Sequence, residues 1–403
     1  MSNTFCPLPW KHLATHPHGS ISLCCESDMN DRRSEACNSI DDYQTLQSTS
    51  YNFDMITNSD SFNEVRLQFL SGKRPSVCQQ CFDAEDLNVI SKRQREIERL
   101  NFSIDDAREI TRDDGSLTEV KYDFVELRLG NHCNLSCRTC NPASSTKWIA
   151  DYKELYDTEW PYDKEKYEWP IDTKFWKQLS FSISDTVQYI YINGGEPLLV
   201  DKHMCFLDLL INMDLAKNIN LLYSTNCTAK NDEYVQYWKE FKKVEFMLSI
   251  DDIEDRNHYI RYPSEWNQVL DVYKWFMSLR NDYDNILITI MHTISSYNAL
   301  YIREYVEYMR TIDQYSYFYH NFVYDPNYFN PVHLPRDIKD KILYKVEGLE
   351  CEDLAKRVLL PDGNNRLLNK FLTITEKLDH IRGNNFSKVF PELYHYFKEN
   401  GYR

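Results

Sequence analysis

No stretch of the chain stays apolar for long enough to cross a bilayer. The first residues, MSNTFCPLPWKHL, lack the basic-then-apolar layout of a secretory signal. Together these absences predict a soluble, cytoplasmic protein. Basic clusters are also missing. The formal net charge is −16, and Lys and Arg form no run that would track a phosphate backbone, which argues against nucleic acid as a partner. No internal repeat or low-complexity tract is present. The twelve cysteines do not follow a disulfide-framework spacing, and a reducing cytosol would keep them as thiols.

What is present is a chain of 403 residues, 42% hydrophobic, enough for one large domain and a smaller one. Seven cysteines fall into tight groups: Cys24–Cys25, Cys78–Cys81, and a triplet at Cys133, Cys137 and Cys140. Such grouping favours metal ligation. Cys37, Cys205, Cys227 and Cys351 stand alone and read as buried or incidental thiols.

From about Phe124 the pattern alternates between strands and helices. FVELRLG, VQYIYING, INLLYST, VEFMLSI, ILITIMHT and SYFYHNFV predict six short strands, most of them separated by amphipathic stretches such as HMCFLDLLINM and WNQVLDVYKWFMSL. Repeated strand–helix units imply a parallel sheet with right-handed crossovers. Six units are too few for a closed eight-stranded barrel, so the expected fold is α/β, a partial (β/α)6 barrel. Its chemistry should gather at the C-terminal ends of the strands. Residues 1–120 read as a smaller domain with a linker: a hairpin in HLATHPHGSISLCC turning at Pro17-His18-Gly19, a helix in SFNEVRLQFLSG, and a charged helical segment from Glu85 to about Arg112. Residues 121–330 would form the barrel, its first crossover extended by a Trp- and Tyr-rich insertion at 144–185. Residues 331–403 would form a helical C-terminal region.

The triplet, C-x3-C-x2-C, follows the first barrel strand directly. Three thiolates this close can hold three corners of a cubane iron–sulfur cluster and leave the fourth iron open, whereas a structural cluster or zinc takes four protein ligands. A zinc knuckle borrowing a distant fourth ligand is the alternative. The motif resembles the signature of the radical S-adenosylmethionine (SAM) enzymes, and later strand ends agree with that resemblance. Asn193-Gly194-Gly195-Glu196-Pro197 matches the family's GGEP motif, which implies that backbone carbonyls and the acid receive the amino group of SAM. Ser224-Thr225-Asn226-Cys227-Thr228 is similar to T-N-G-T, with Cys227 where the family has glycine, so a positive φ there would be strained. Ser249-Ile250-Asp251 resembles S-x-D, and Tyr259-Ile260-Arg261 resembles Y-I-R, implying that Ser249, Asp251 and Arg261 serve the ribose and carboxylate of SAM. Thr139 replaces the aromatic residue many members carry before the third cysteine, so adenine packing must come from elsewhere.

Upstream, Cys6-Pro-Leu-Pro-Trp10, the hairpin ending in Cys24-Cys25, and Cys78-x2-Cys81 resemble the auxiliary-cluster modules called SPASM or twitch, here ahead of the barrel. The implied ligands are Cys6, Cys24, Cys78 and Cys81. Cys25 remains an alternative to Cys24, and a four-cysteine zinc ribbon an alternative to iron. The resemblance therefore implies two [4Fe–4S] clusters, one open and one closed, with SAM on the open one. An external electron donor such as a flavodoxin or ferredoxin would reduce it. The expected activity is hydrogen abstraction that modifies a peptide or protein side chain. Dehydrogenation or rearrangement of a small molecule is the second reading, and a non-catalytic metal-binding adaptor the third. No acid or base is singled out; His132, His292 and Asp325 read as packing or loop polarity.

Overall fold

The computed structural model describes residues 4–27, 53–86, 90–161 and 164–402. Cys37 lies outside the described residues. The fold is mixed α/β. Its strands are β1 (His12–Thr15), β2 (Ile21–Ser22), β3 (Phe124–Arg128), β4 (Tyr189–Asn193), β5 (Asn220–Thr225), β6 (Lys243–Ser249), β7 (Ile286–Ile294) and β8 (Tyr317–Phe322). They hydrogen-bond in the order β2-β1-β3-β4-β5-β6-β7-β8, an open arrangement rather than a closed barrel. All six strands expected in the barrel are present. No helix among the described residues is long and apolar enough to cross a membrane.

The chain divides into two compact units. The first comprises residues 1–130, 163–223 and 232–244. Here the N-terminal hairpin forms as expected, with Ala14 opposite Ser22 and Gly19 at φ +83 closing the turn. β1 then pairs in parallel with β3, His12 against Phe124, so the hairpin extends the barrel sheet. β3 and β4 are paired over five residues, from Phe124–Tyr189 to Arg128–Asn193. Along β4, Ile190 and Ile192 are buried and Tyr189, Tyr191 and Asn193 are half-buried, the period-two pattern of a sheet with one covered face. The helices Thr173–Ser182 and Met204–Asn212 bury Phe175, Trp176 and Leu179, and Phe206, Leu207 and Leu210. Each such side chain contributes about 1.5–3 kcal/mol of burial. The helix Asp60–Leu70 buries Phe62, Val65 and Phe69 at helical spacing. Its Arg66 is fully buried and donates to the carbonyls of Pro9, Thr57 and Gly115 at 2.8, 2.6 and 3.1 Å, which fixes the N-terminal segment.

The second unit comprises residues 131–162, 224–231 and 245–403. β7 and β8 run parallel from Thr289–Tyr317 to Ile294–Phe322. The helix Trp266–Asp282 buries Val269, Val272, Tyr273, Phe276 and Leu279, and the helix Ile302–Ile312 buries Ile302, Tyr305, Val306 and Met309. The C-terminal region is helical as expected, with helices at Arg336–Lys345, Glu352–Leu359, Asn365–Arg382 and Pro391–Glu399.

Burial also sets a pH response in the first unit. His203 is fully buried, with Nδ1 2.5 Å from the Val200 carbonyl and Nε2 3.0 Å from the Tyr223 hydroxyl. Desolvation pulls its pKa from 6.5 down to about 4. The unfolded chain therefore takes up a proton between these values that the folded chain refuses, so acid favours unfolding. Chemical denaturation should show stability falling by about 2 kcal/mol from this group between pH 7 and pH 5. His203→Gln should remove that share of the slope.

Candidate functional site

In the second unit the triplet lies on a loop that other backbone holds in place. Ser136 N donates to Tyr262 O at 2.6 Å and Arg138 N to Ile260 O at 2.7 Å, strapping the loop to the end of the helix Glu254–Ile260. Trp148 Nε1 donates to Cys137 O at 2.7 Å, and Ser145 Oγ to Leu135 O at 2.5 Å. Cys133 is buried and Cys137 and Cys140 are half-buried. Desolvation pushes the Cys140 thiol up to about 12, and its neighbours Cys137 and Cys133 add to the effect. Burial raises the Cys137 thiol as well, and two such sulfurs side by side are stable as thiolates only beside a positive group such as iron. Among the described residues, no three His, Cys, Asp or Glu side chains converge as ligands of a single ion would. A cubane asks for something else, one thiolate per iron at separate corners.

The other strand-end residues of this unit surround the loop. Asn226 Nδ2 donates to Asn134 Oδ1 at 2.8 Å and lies 3.7 Å from Cys133 Sγ. Thr228 Oγ1 accepts from Asn134 Nδ2 at 2.8 Å, and its own hydroxyl donates to Asn226 Oδ1. Cys227 does adopt the left-handed backbone, at φ +58, and its buried thiol lies 3.6 Å from Val269 O. Its thiol is thereby engaged with backbone of the helix Trp266–Asp282. Arg261 is half-buried and pairs with Asp251, Nη1 to Oδ2 at 2.8 Å. Desolvation opposes its charge, yet Cys137, Asp251 and Cys133 hold its pKa above the ordinary value. Arg261 Nε is buried without a protein partner, a donor left for a ligand. Asp251 is committed on both oxygens, since Oδ1 accepts from Thr293 N at 2.9 Å. It orients the arginine. Ser224 lies near the end of β5, and Ser249 closes β6 half-buried.

In the first unit, Asn193-Gly194-Gly195-Glu196-Pro197 ends β4. Gly194 and Gly195 have φ of +83 and +50, and a Cβ on Gly194 would sit 2.8 Å from the backbone of Arg128 and Leu129. Glu196 is fully buried and caps the next turn, accepting from Leu198 N at 3.1 Å.

The upstream cysteines of this unit also gather. Cys6, Cys24 and Cys81 are buried and Cys78 is half-buried, with Cys78 and Cys81 flanking the first turn of the helix Gln79–Asp86. Desolvation raises all four thiols. Cys6 then feels Cys81, Cys78 feels Cys6 and Cys81, and Cys24 feels Cys25 and Lys92 first and then Cys78 and Cys6. Cys25 is different. Beyond its own desolvation, it interacts with Glu126, Lys92 and Arg128. Lys92 Nζ lies 3.2 Å from Cys25 Sγ and 2.9 Å from Glu126 Oε2. Glu126 is fully buried, and although burial alone would raise its carboxyl, Lys92, Arg128 and His12 hold it well below the carboxylate range. Sequence reading missed Lys92 and Glu126. Lys92 sat in a charged segment read as a connector, and Glu126 in a short apolar strand.

Residues 127–306 match the model of the Radical SAM superfamily. The chain contains a radical SAM domain. The matched segment includes the triplet, the Gly-Gly-Glu-Pro turn, Asn226, Asp251 and Arg261. No curated protein matches. Among solved structures, polyhistidine-tagged anSMEcpe with bound AdoMet is 17% identical, with a TM-score of 0.41 over 57% of this chain and 58% of that one. Streptococcus suis SuiB bound to S-adenosylmethionine is 14% identical, with a TM-score of 0.36 over 73% and 60%. SuiB bound to precursor peptide SuiA is 12% identical, with a TM-score of 0.35 over 84% and 66%. This chain thus spans somewhat under two thirds of the length of the first of these structures. The radical SAM family implies a [4Fe–4S] cluster and SAM, and the residues here fit them: three thiols on one fixed loop, a committed Cys227, and an unsatisfied Arg261 donor.

Two exchanges at left-handed positions test the strand-end geometry. Gly194→Ala should lower the thermal midpoint by the equivalent of about 2–4 kcal/mol, since steric overlap adds to left-handed strain. Cys227→Gly should keep wild-type iron content and change stability by less than about 1 kcal/mol, because relief of strain offsets the lost thiol packing.

Proposed function

We propose that this chain is a radical SAM enzyme that modifies a peptide or protein side chain with help from an auxiliary iron–sulfur cluster. The observation that carries the reading is the triplet on its strapped loop within the matched domain, with the Cys227 thiol engaged by the Val269 carbonyl. Cys133, Cys137 and Cys140 would hold three irons. The carbonyls and acid of Asn193–Pro197 suit an ammonium, and the Arg261 fork, oriented by Asp251, suits a carboxylate. When bound, the open cluster and SAM supply a 5′-deoxyadenosyl radical that takes a hydrogen atom from an unactivated C–H bond. The chain's own part is to orient the cofactor and keep water from the reacting atoms. Cys6, Cys24, Cys78 and Cys81 would close a second cluster, fully ligated, suited to accepting an electron from the substrate.

A peptide substrate is supported by β8. It ends the strand order, and among the described residues no strand pairs its outer edge. Val323 N donates to Ile294 O at 2.8 Å, so by alternation the N–H groups of Phe318, His320 and Phe322 point away from β7. Tyr317 and Tyr319 are exposed on the same strand. An extended chain can pair with such an edge, whereas a small polyol has no use for it.

Anaerobic reconstitution tests the reading. About eight irons per chain are expected, falling to about four when Cys133, Cys137 and Cys140 become Ala. The wild type should release 5′-deoxyadenosine under strong reductant, and the triple variant none. Arg261→Lys should keep its iron but bind SAM about tenfold or more weakly, having lost the fork. Absence of 5′-deoxyadenosine from the iron-replete wild type rules the activity out.

A further inference from the structure

The N-terminal cysteine group holds one thiol more than a cubane needs. Cys24 and Cys25 are adjacent beyond the end of β2, where the chain leaves the hairpin in a turn that Ser27 N closes on the Cys24 carbonyl. The backbone that orients them is pinned. The Cys24 carbonyl accepts from Ser22 Oγ at 3.1 Å, Ser27 Oγ at 2.7 Å and Ser27 N at 3.2 Å. Cys24 is buried, and besides its neighbour Cys25 and Lys92 it feels the Cys78 and Cys6 thiols, which Cys25 does not. Cys25 is partly exposed and meets the Lys92 ammonium at 3.2 Å.

Lys92 is not free to leave. It opens the helix Lys92–Leu100 behind a capping box of Ser91 and Gln94, which sets its direction. Its ammonium is the closest partner of the buried Glu126 carboxylate, at 2.9 Å. The remaining partners of Glu126 are farther away: Asn193 Nδ2 at 3.5 Å, Arg128 Nε at 3.6 Å and His12 Nε2 at 3.8 Å. His12 Nε2 is itself buried with no hydrogen-bond partner. Swinging Lys92 away would strand a carboxylate out of water, which is strongly unfavourable.

We propose that the two thiols have separate tasks: Cys24 is the fourth ligand of the auxiliary cluster, and Cys25 is a non-ligating thiol held off the iron by Lys92. Lys92 is then a positioning residue that also fixes a positive charge beside the auxiliary cluster. This rests on the auxiliary-site reading given above. A neighbouring positive charge favours the more negative, reduced state of a cluster and so raises its reduction potential.

The full chain carrying Cys133→Ala, Cys137→Ala and Cys140→Ala isolates the auxiliary site. It would be reconstituted anaerobically, with iron and sulfide counted and the cluster titrated reductively by electron paramagnetic resonance. In this background Cys24→Ala should lose about four irons per chain and Cys25→Ala should keep them. Lys92→Met should be reduced at a lower potential than the parent, and Lys92→Arg at the parent's potential. Iron lost from Cys25→Ala but kept by Cys24→Ala would overturn the division while leaving the auxiliary site standing. An unchanged potential in Lys92→Met would overturn the role of its charge. If Lys92→Met does not fold, Glu126→Gln asks the same question with the opposite sign: a raised potential supports the proposal, and an unchanged one overturns it. A parent that binds no iron–sulfur cluster sinks both the proposal and the auxiliary-site reading.

Discussion

The loop that carries the cysteine triplet is organised around one buried cation. Arg138 lies between the second and third cysteines of the triplet and is fully buried. Its guanidinium stacks 3.6 Å from the Tyr259 ring and reaches Asp379 Oδ1 at 2.5 Å and Asn384 Oδ1 at 3.2 Å, while Nε donates to Tyr259 O. A guanidinium out of water must be paired, and breaking such a pair costs about 3–5 kcal/mol. The triplet therefore requires an acid from the C-terminal helix Asn365–Arg382. That acid is shared, since Asp379 also accepts from Tyr259 Oη and from Phe386 N, both at 2.6 Å. The same helix ends in Arg382, which pairs with Asp151 and covers the rings of Trp148 and Tyr262. Trp148 in turn holds the Cys137 carbonyl. The C-terminal region is thus part of the scaffold that sets the three sulfurs.

The first unit solves a similar problem with the opposite charge at its centre. Glu126 is the buried ion, and Lys92, Arg128 and His12 are arranged about it. His12 stays neutral, because burial and Lys92 pull its pKa down to about 4 despite the carboxylate. In both units a charged group is buried near the cysteines, and its partners come from segments far apart in sequence. In the second unit the pairing anchors Arg138 between two of the triplet cysteines, and in the first it brings the Lys92 ammonium to the Cys25 sulfur. This suits iron–sulfur ligation, where sulfur positions must be held before the metal arrives.

Local chemistry was legible before any coordinates. The alternation in YIYIN and the helical spacing of Phe62, Val65 and Phe69 each report a one-sided element, and both formed as expected. The hairpin turn at Gly19 was readable for the same reason. What escaped was long-range. The parallel pairing of β1 with β3 joins residues more than a hundred positions apart, and nothing local marks it. The burial of Arg66 and Arg138 has no mark in the sequence, because charge alone does not reveal burial. Glu126 hides in a strand otherwise apolar enough to look like plain core. Spacing favoured Cys24 with Cys25 as the alternative, and it gave no sign of Lys92 and Glu126, which reach the Cys25 sulfur from elsewhere in the chain.

Cys227 shows how much a single departure from a motif can say. Nine of the ten glycines have positive φ, so this chain keeps glycine almost wholly for left-handed backbone. At the third barrel strand end the same conformation is held by a cysteine, at a cost of about 1–2 kcal/mol relative to glycine. A thiol so placed would be the obvious fourth ligand if the triplet were a structural site. Instead the sulfur is buried against the Val269 carbonyl, and Gln268 Nε2 fixes the next turn by donating to Thr228 O at 2.8 Å. The loop thus accepts backbone strain while keeping its sulfur in the core of the fold. That arrangement is hard to reconcile with a four-thiol zinc knuckle and natural for a cluster whose fourth iron must stay open to a ligand from outside the protein.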